Sequence, residues 1–407
     1  MSETAVEVPT PTHRDVRELS PVLYDRKQLF NLREIGKNVV WGEPVFGTSG
    51  WLIPAQTPED NEIRSIIIKL AKNLVKDAEP HYKYNAEMLR LASSRTKFVP
   101  FYWEYGTTKV PGQEDREFPY IAMEHVQGRT LRKVMANSGL TIDESLRILK
   151  TIARGVDELL GEGPDGKQLD GMPPIISTDL NPNNIQMRVD DNNQVIMDRP
   201  VIIDFDGARY EKKHHVLPFG KQPLTPAYAG PEMVQEGKEI TRKLNTWQLG
   251  AIAFEMLTGE EFFKGENNQA IYFKYLDETI FNDFLKQRLE QVQDKKKRIP
   301  KGKKCISKAT SDVLGIALAH DPAKRFGSAT ILVNAIEAAQ RQNIPTSPAI
   351  EGRTLVRRIS NMLRPPSSPR DNSETNQYRD SRGPGRRYYA RHQEGAGTHR
   401  RGRVRSS

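Results

Sequence analysis

The dominant hydrophobic period of the chain changes near residue 126, and that change limits the architectures open to it. From about 29 to 125, short runs rich in β-branched and aromatic residues dominate: "RSIIIKLA", "KFVPFYWEYG" and "FPYIAMEHV". Such residues suit a pleated, half-buried surface. One helical stretch, 78–93, interrupts them. Beyond 126 the apolar spacing becomes helical, as in "LTIDESLRILKTIARGVDELL", "TWQLGAIAFEML" and "ATILVNAIEAAQRQ". A strand-rich third followed by a helical two-thirds predicts an α+β chain in two unequal lobes, with no internal repeat.

Composition bears mainly on the flanks. Residues 351–407 hold 14 Arg, no Lys and 5 acidic residues, a net +9 that equals the net charge of the whole chain. Residues 1–350 are therefore balanced, and the basic character belongs to the tail. Residues 1–28, polar with several prolines, read as a flexible arm. Residues 343–407, rich in Arg, Pro, Ser and Gly, read as disordered, because too few of them are apolar to build a core. Within the tail, "RRIS" places two arginines ahead of Ser360, and Ser347 and Ser368 precede prolines, which marks the tail for phosphorylation. Its Arg, Gly and Tyr could also hold nucleic acid or an acidic surface by charge and stacking, a solvated tail being the plainer reading. The single cysteine, Cys305, excludes an intrachain disulfide framework and a cysteine metal cluster. No apolar run approaches a membrane span of roughly 18 residues, and the first residues lack the apolar core of a secretory signal. The expectation is a soluble, cytoplasmic protein.

Four short stretches carry charges that need partners. On a strand, "RSIIIKLA" would set Ile67 and Lys69 on one face against Ile66, Ile68 and Leu70 on the other. A lone lysine there reads first as an edge residue reaching for water. In "EPHYKYNAEMLRLAS", Tyr84, Met88 and Leu91 follow helical spacing with Glu87 inside the stripe, where a carboxylate is costly unless paired. Lys69 and Glu87 could answer each other. Downstream, "IISTDLNPNNIQM" places Asp179 and Asn184 five apart in a polar run, which alone is an ordinary turn. Lastly, the apolar strand in "RPVIIDFDGARY" stops at Asp204-Phe205-Asp206-Gly207. Carboxylates at a strand end can hold Mg²⁺, but Asp-Gly is also a hairpin signal.

Taken in order, strand lysine, helix glutamate, "DLNPNN", "DFDG" and "LTPAYAGPEM" resemble the signature set of eukaryotic-type protein kinase domains, over about residues 29–342. The resemblance implies a bilobal fold, with a small β-rich lobe at 29–123 and a larger helical lobe at 126–342. It implies ATP and Mg²⁺ as cofactors, a protein substrate, and phosphorylation of its hydroxyls, serine or threonine first. Lys69 would bind the α- and β-phosphates, with Glu87 as its ion-pair partner. Gly42 and Gly47 would belong to the loop covering the phosphates. Met123 would stand at the back of the adenine slot, with Glu124 and Val126 offering backbone groups to the base. Asp179 would receive the substrate hydroxyl's proton, Asn184 and Asp204 would hold the metal, and Thr225 would lie near the catalytic aspartate. Glu232 would pair with Arg325 to brace the helical lobe.

The chain departs from that family at several positions. Ser177-Thr178 replaces His-Arg, removing the usual partner of an activation-loop phosphate, and 207–224 holds no Ser or Thr. Asn181 replaces a lysine. Asp206 replaces a glycine and reads as a turn residue, a metal ligand being the alternative. Pro44 replaces a glycine of the phosphate loop, Ile67 an alanine above the adenine, and Gln186 an apolar residue below it. Asn245 replaces an aspartate and is expected to cap the helix it starts without a charge to anchor the catalytic loop. A pseudokinase acting as a scaffold, or a small-molecule kinase, are the alternatives to an active protein kinase.

Overall fold

A computed structural model describes residues 40–46, 50–59, 62–72, 75–110, 113–162, 171, 173–211, 225–235, 237–293 and 305–341. The N-terminal arm, Gly47 and the basic tail lie outside them.

The first third builds the small lobe. Strands β1 (Val40–Trp41), β2 (Val45–Phe46), β3 (Gly50–Glu59) and β4 (Glu62–Ala71) precede helix α1 (Val75–Arg95), and β5 (Tyr102–Val110) and β6 (Gln113–Glu124) follow it. They form one antiparallel sheet in the order β1-β3-β4-β6-β5, with β2 also paired to β3. On β4 the expected alternation holds. Ile66, Ile68 and Leu70 are buried on one face, while Ile67 and Lys69 share the other. Opposite Lys69 stand Leu52 of β3 and Ile121 of β6. At the open end of the β3–β4 pair only glycine fits at Gly50, because a Cβ there would meet the Leu70 carbonyl oxygen at 2.0 Å.

Helix α1 lies against β6 and β5. Its buried face is Ala78, Tyr82, Asn85, Ala86, Met88, Leu89 and Ala92, which differs from the stripe expected from sequence. Tyr84 and Leu91 are only half-buried, and Glu87 is exposed. The small residues Ala78, Ala86 and Ala92 complete the packed face, and Lys83, Glu87 and Arg90 are exposed on the opposite side.

The larger lobe holds β7 (Gly128–Thr130), α2 (Leu131–Ser138), α3 (Ile142–Leu159), β8 (Ile175–Ile176), β9 (Ile185–Val189), β10 (Val195–Ile202), β11 (Arg209–Tyr210), α4 (Lys243–Thr258), α5 (Asn268–Leu276), α6 (Glu278–Gln293), α7 (Lys308–Ala317) and α8 (Ala329–Arg341). Two small sheets, β10-β9-β7 and β11-β8, carry the loops of the site on their ends. Helix α3 begins with a capping box in which Thr141 and Glu144 satisfy each other's backbone N–H groups. It packs against α4 and α8. Helix α4 is buried from Leu244 to Thr258, with Trp247 and Phe254 fully enclosed. It is largely apolar because neighbours cover it all round, and its polar side chains Asn245 and Gln248 are buried with the rest. The start of α8 is tied to α3 by Asp157, whose carboxylate accepts from the backbone N–H of Ala329 (2.9 Å) and Thr330 (2.8 Å).

Glu232 and Arg325 form the expected brace. Two parallel hydrogen bonds of 2.7 and 2.8 Å join the guanidinium to the carboxylate, with both side chains almost wholly buried. Arg325 also donates to the carbonyls of Ala319, His320 and Lys243 and lies over the Trp247 ring. So satisfied, the buried charges are tolerated rather than costly. Among the described residues, no helix is long and apolar enough to cross a membrane.

Candidate active site

The loop from Ser177 to Asn184 joins β8 to β9, and α4 fixes it from below. Asn245 donates to the Ser177 carbonyl (2.6 Å) and Gln248 to the Thr178 carbonyl (2.8 Å), with Asn245 also donating to Gln248. Asn245 therefore anchors the loop by amide hydrogen bonds and does not cap α4, whose N-terminal residue Arg242 makes no side-chain cap. Gln248 had no signal of its own in the sequence; it lies one helical turn after Asn245, on the same face. Thr178 ties the loop to the next one by donating to the Gly207 carbonyl at 2.6 Å.

Thus held, Asp179 is aimed by its neighbours. Asn184 Nδ2 donates to Asp179 Oδ2 (2.8 Å) and to its carbonyl (2.9 Å), and the Thr225 backbone N–H donates to Oδ1 (2.9 Å). Asn181, buried, bridges the Asp179 carbonyl (3.1 Å) and Thr225 Oγ1 (3.2 Å). Burial pushes the Asp179 carboxyl above the ordinary aspartate range, against the Thr225 hydrogen bonds that favour its charge. The charge of Asp204 adds to the rise.

The second half of the site comes from β4 and the 204–207 turn. Asp204 sits at φ +67°, a conformation uncommon outside glycine, asparagine and aspartate. Lys69, 7% exposed, places Nζ 3.3 Å from Asp204 Oδ1 and 2.6 Å from Asp206 Oδ1. Burial alone would lower the lysine's pKa, yet these carboxylates raise it and keep the ammonium charged. The expected Lys69–Glu87 pair is not made. Glu87 points away from the site, and its carboxylate accepts from the Tyr210 hydroxyl at 3.4 Å. The face of α1 toward the site carries Asn85 instead, whose Nδ2 donates to Asp206 Oδ1 at 3.4 Å. Asp206 is thus neither a bare turn residue nor placed by itself; it is the nearest acid to the lysine.

At the connection between the lobes, the Glu124 backbone N–H donates to the Phe101 carbonyl (2.8 Å) and that of His125 to Ser65 (2.9 Å). The Glu124 side chain is occupied by Arg188 at 2.7 Å. Among the described residues, the Val126 N–H takes part in no such bond, which suits a donor to a base edge. Ile67, Met123 and Gln186 are half-buried, with Ile67 opposite Met123 across β4 and β6. Gly42 gives its N–H to the Pro54 carbonyl (2.8 Å), so that donor is spent within the sheet rather than on phosphates.

The profile of the protein kinase domain family matches residues 47–335. Curated relatives include the serine/threonine-protein kinases PknA of Corynebacterium glutamicum, 24% identical over 60% of this chain and 44% of its own, and drp72 of Corynebacterium efficiens, 22% identical over 60% and 40%. PknB of Mycolicibacterium smegmatis is 23% identical over 53% of this chain and 32% of its own. The chain spans less than half the length of these relatives. With a family match over most of its length, the chain belongs to the protein kinase domain family.

Proposed function

We propose that this chain is an ATP- and Mg²⁺-dependent protein kinase that phosphorylates serine or threonine hydroxyls. The observation that supports this best is the double orientation of Asp179, with Asn184 on Oδ2 and the Thr225 N–H on Oδ1. A general base must be aimed and desolvated, and its raised pKa makes it a better proton acceptor than a free carboxylate. Phosphoryl transfer asks the protein for positioning and neutralisation more than covalent chemistry. Lys69 would hold the α- and β-phosphates, Val126 and Glu124 the base, and Asp179 would take the proton of the attacking hydroxyl.

The donor set fits a hard cation. Asn184 has its amide nitrogen engaged by Asp179, leaving its oxygen, and the Asp204 side chain is 42% exposed; oxygen ligands of this kind suit Mg²⁺. When bound, the ion would neutralise charge on the phosphates. The Glu232–Arg325 brace and the ordered 225–234 segment favour a protein over a small-molecule acceptor.

The test is transfer of labelled γ-phosphate from Mg–ATP to the protein itself and to generic protein substrates, with Asp204→Ala beside the wild type. Transfer that vanishes in the variant is expected. A folded wild type that neither transfers phosphate nor binds Mg–ATP would overturn the proposal. The engaged N–H of Gly42, together with Pro44, favours the second reading, a scaffold without catalysis, and that outcome would establish it.

A further inference from the structure

One carboxylate in the cleft has no role in the scheme above. Asp206 stands where the family resemblance leads one to expect glycine, so its side chain is an addition to the 204–207 turn. It lies closer to Lys69 than Asp204 does, 2.6 against 3.3 Å, and its side chain is 15% exposed against 42%. The α1 residue that meets it is Asn85, 2% exposed, which donates to the same Oδ1 at 3.4 Å and lies 3.1 Å from His81 Nε2. Glu87, two residues on, is rotated by about 200° around the helix and accepts from the Tyr210 hydroxyl.

We propose that Asp206 is the positioning residue for Lys69, the acidic partner having moved from α1 to the turn, with Asn85 as its neutral contact on the helix. The inference rests on the kinase reading and assigns one further residue to that site. A lysine that must meet phosphates needs a fixed, desolvated counter-ion, because small misplacements are expensive in rate. Asp204 cannot serve both as that counter-ion and as the outward-facing metal carboxylate. Two aspartates divide the task, the buried one taking the ammonium and the exposed one left for the cation. An amide at position 85 fits this division, since a third carboxylate beside one ammonium would repel the other two. It follows that one four-residue turn positions both lysine and metal carboxylate. Helix α1 bears on this site through the long, neutral hydrogen bond from Asn85 and through the buried Tyr82, whose hydroxyl interacts with both Lys69 and Asp206.

The experiment compares Asp206→Asn, Glu87→Gln, Asp206→Gly and the double variant Asp206→Gly/Asn85→Glu in the full chain, reading KM for Mg–ATP, kcat and the nucleotide-free melting temperature. Asp206→Asn is expected to lower kcat/KM for ATP by about 10²-fold, and Glu87→Gln to change it less than about threefold. With Asp204 left as the only counter-ion of Lys69, the Mg²⁺ concentration for half-maximal rate should also rise. The contacts of Asn85 and Lys69 share one oxygen, so the Asn85 amide lies within about 6 Å of the ammonium, and a glutamate, longer by one C–C bond of about 1.5 Å, brings a carboxylate to about 4.5 Å, a gap the lysine side chain can close once the Asp206 carboxylate is gone. The double variant should therefore regain both rate and melting temperature over Asp206→Gly alone.

Wild-type kcat/KM in Asp206→Asn, or loss of melting temperature with ATP parameters unchanged, would overturn the assignment. So would a double variant no better than Asp206→Gly, which would make Asp206 a metal ligand or a turn residue. A wild type without transfer or nucleotide binding would sink the kinase reading instead. The nucleotide-free melting comparison would then still decide whether Asp206 holds Lys69.

Discussion

At the scale of single residues, the chemistry turns on how burial and hydrogen bonding compete at Asp179. Its carboxyl titrates above the ordinary value of 3.8 because burial outweighs the hydrogen bonds from Thr225. A base works only when deprotonated, so activity should fall as pH drops through that raised pKa, and the acid limb of the kcat profile should lie above pH 3.8. Asp179→Asn should remove the limb and cut kcat by about 10²–10⁴-fold. A limb at or below the ordinary aspartate value would contradict the assignment. Arg325 poses the opposite case, a buried cation with every donor engaged. Arg325→Met leaves Glu232 charged, enclosed and without its guanidinium, which should cost about 3–5 kcal/mol in urea unfolding. Glu232→Leu/Arg325→Met removes both charges and should cost less than the single change.

At the scale of elements, α4 and α1 show what a pattern of residues can and cannot tell. Asn245 takes the place of a family aspartate, yet its amide donates to the Ser177 carbonyl at 2.6 Å. Asn245→Asp would restore the family residue but set an acceptor against that carbonyl, and should destabilise the protein by about 1–3 kcal/mol. A thermal melt equal to that of wild type would refute this. The alternation around Lys69 was legible in the spacing of its strand, whereas the roles of Asp179 and Asn184 and the Glu232–Arg325 brace were legible only through the resemblance to a family. The partner of Lys69 was legible in neither. Large apolar residues at 84, 88 and 91 suggested a stripe holding Glu87, whereas the packed face also uses Ala78, Ala86 and Ala92, which a count of large side chains passes over. One residue is 100° of helix, so Asn85 and Glu87 lie about 200° apart, and choosing the wrong stripe puts the polar face of the helix where the packed face belongs. Nor could spacing show that Asp206, in an ordinary Asp-Gly turn, would reach a lysine 137 positions earlier in the chain.

At the scale of the whole molecule, the groups proposed for one nucleotide come from separate parts of the chain. Lys69 lies on the sheet of the small lobe, Val126 on the connection, and Asn184 and Asp204 on loops of the helical lobe. A ligand that engages them all binds only the folded protein, and must stabilise it by mass action, by about 2.7 kcal/mol at a concentration of about 100 Kd. Mg–ATP should therefore raise the melting temperature of the wild type. Asp179→Asn should keep that rise, because the proposed base would act on the acceptor hydroxyl and not on nucleotide binding. Lys69→Met should lose most of it. The quantity to compare is the ligand-induced shift within each variant, since Lys69→Met leaves Asp204 and Asp206 without their ammonium and lowers the ligand-free melting temperature by itself. Equal shifts in wild type and Lys69→Met would mean that the nucleotide, if it binds, does not bind at this lysine.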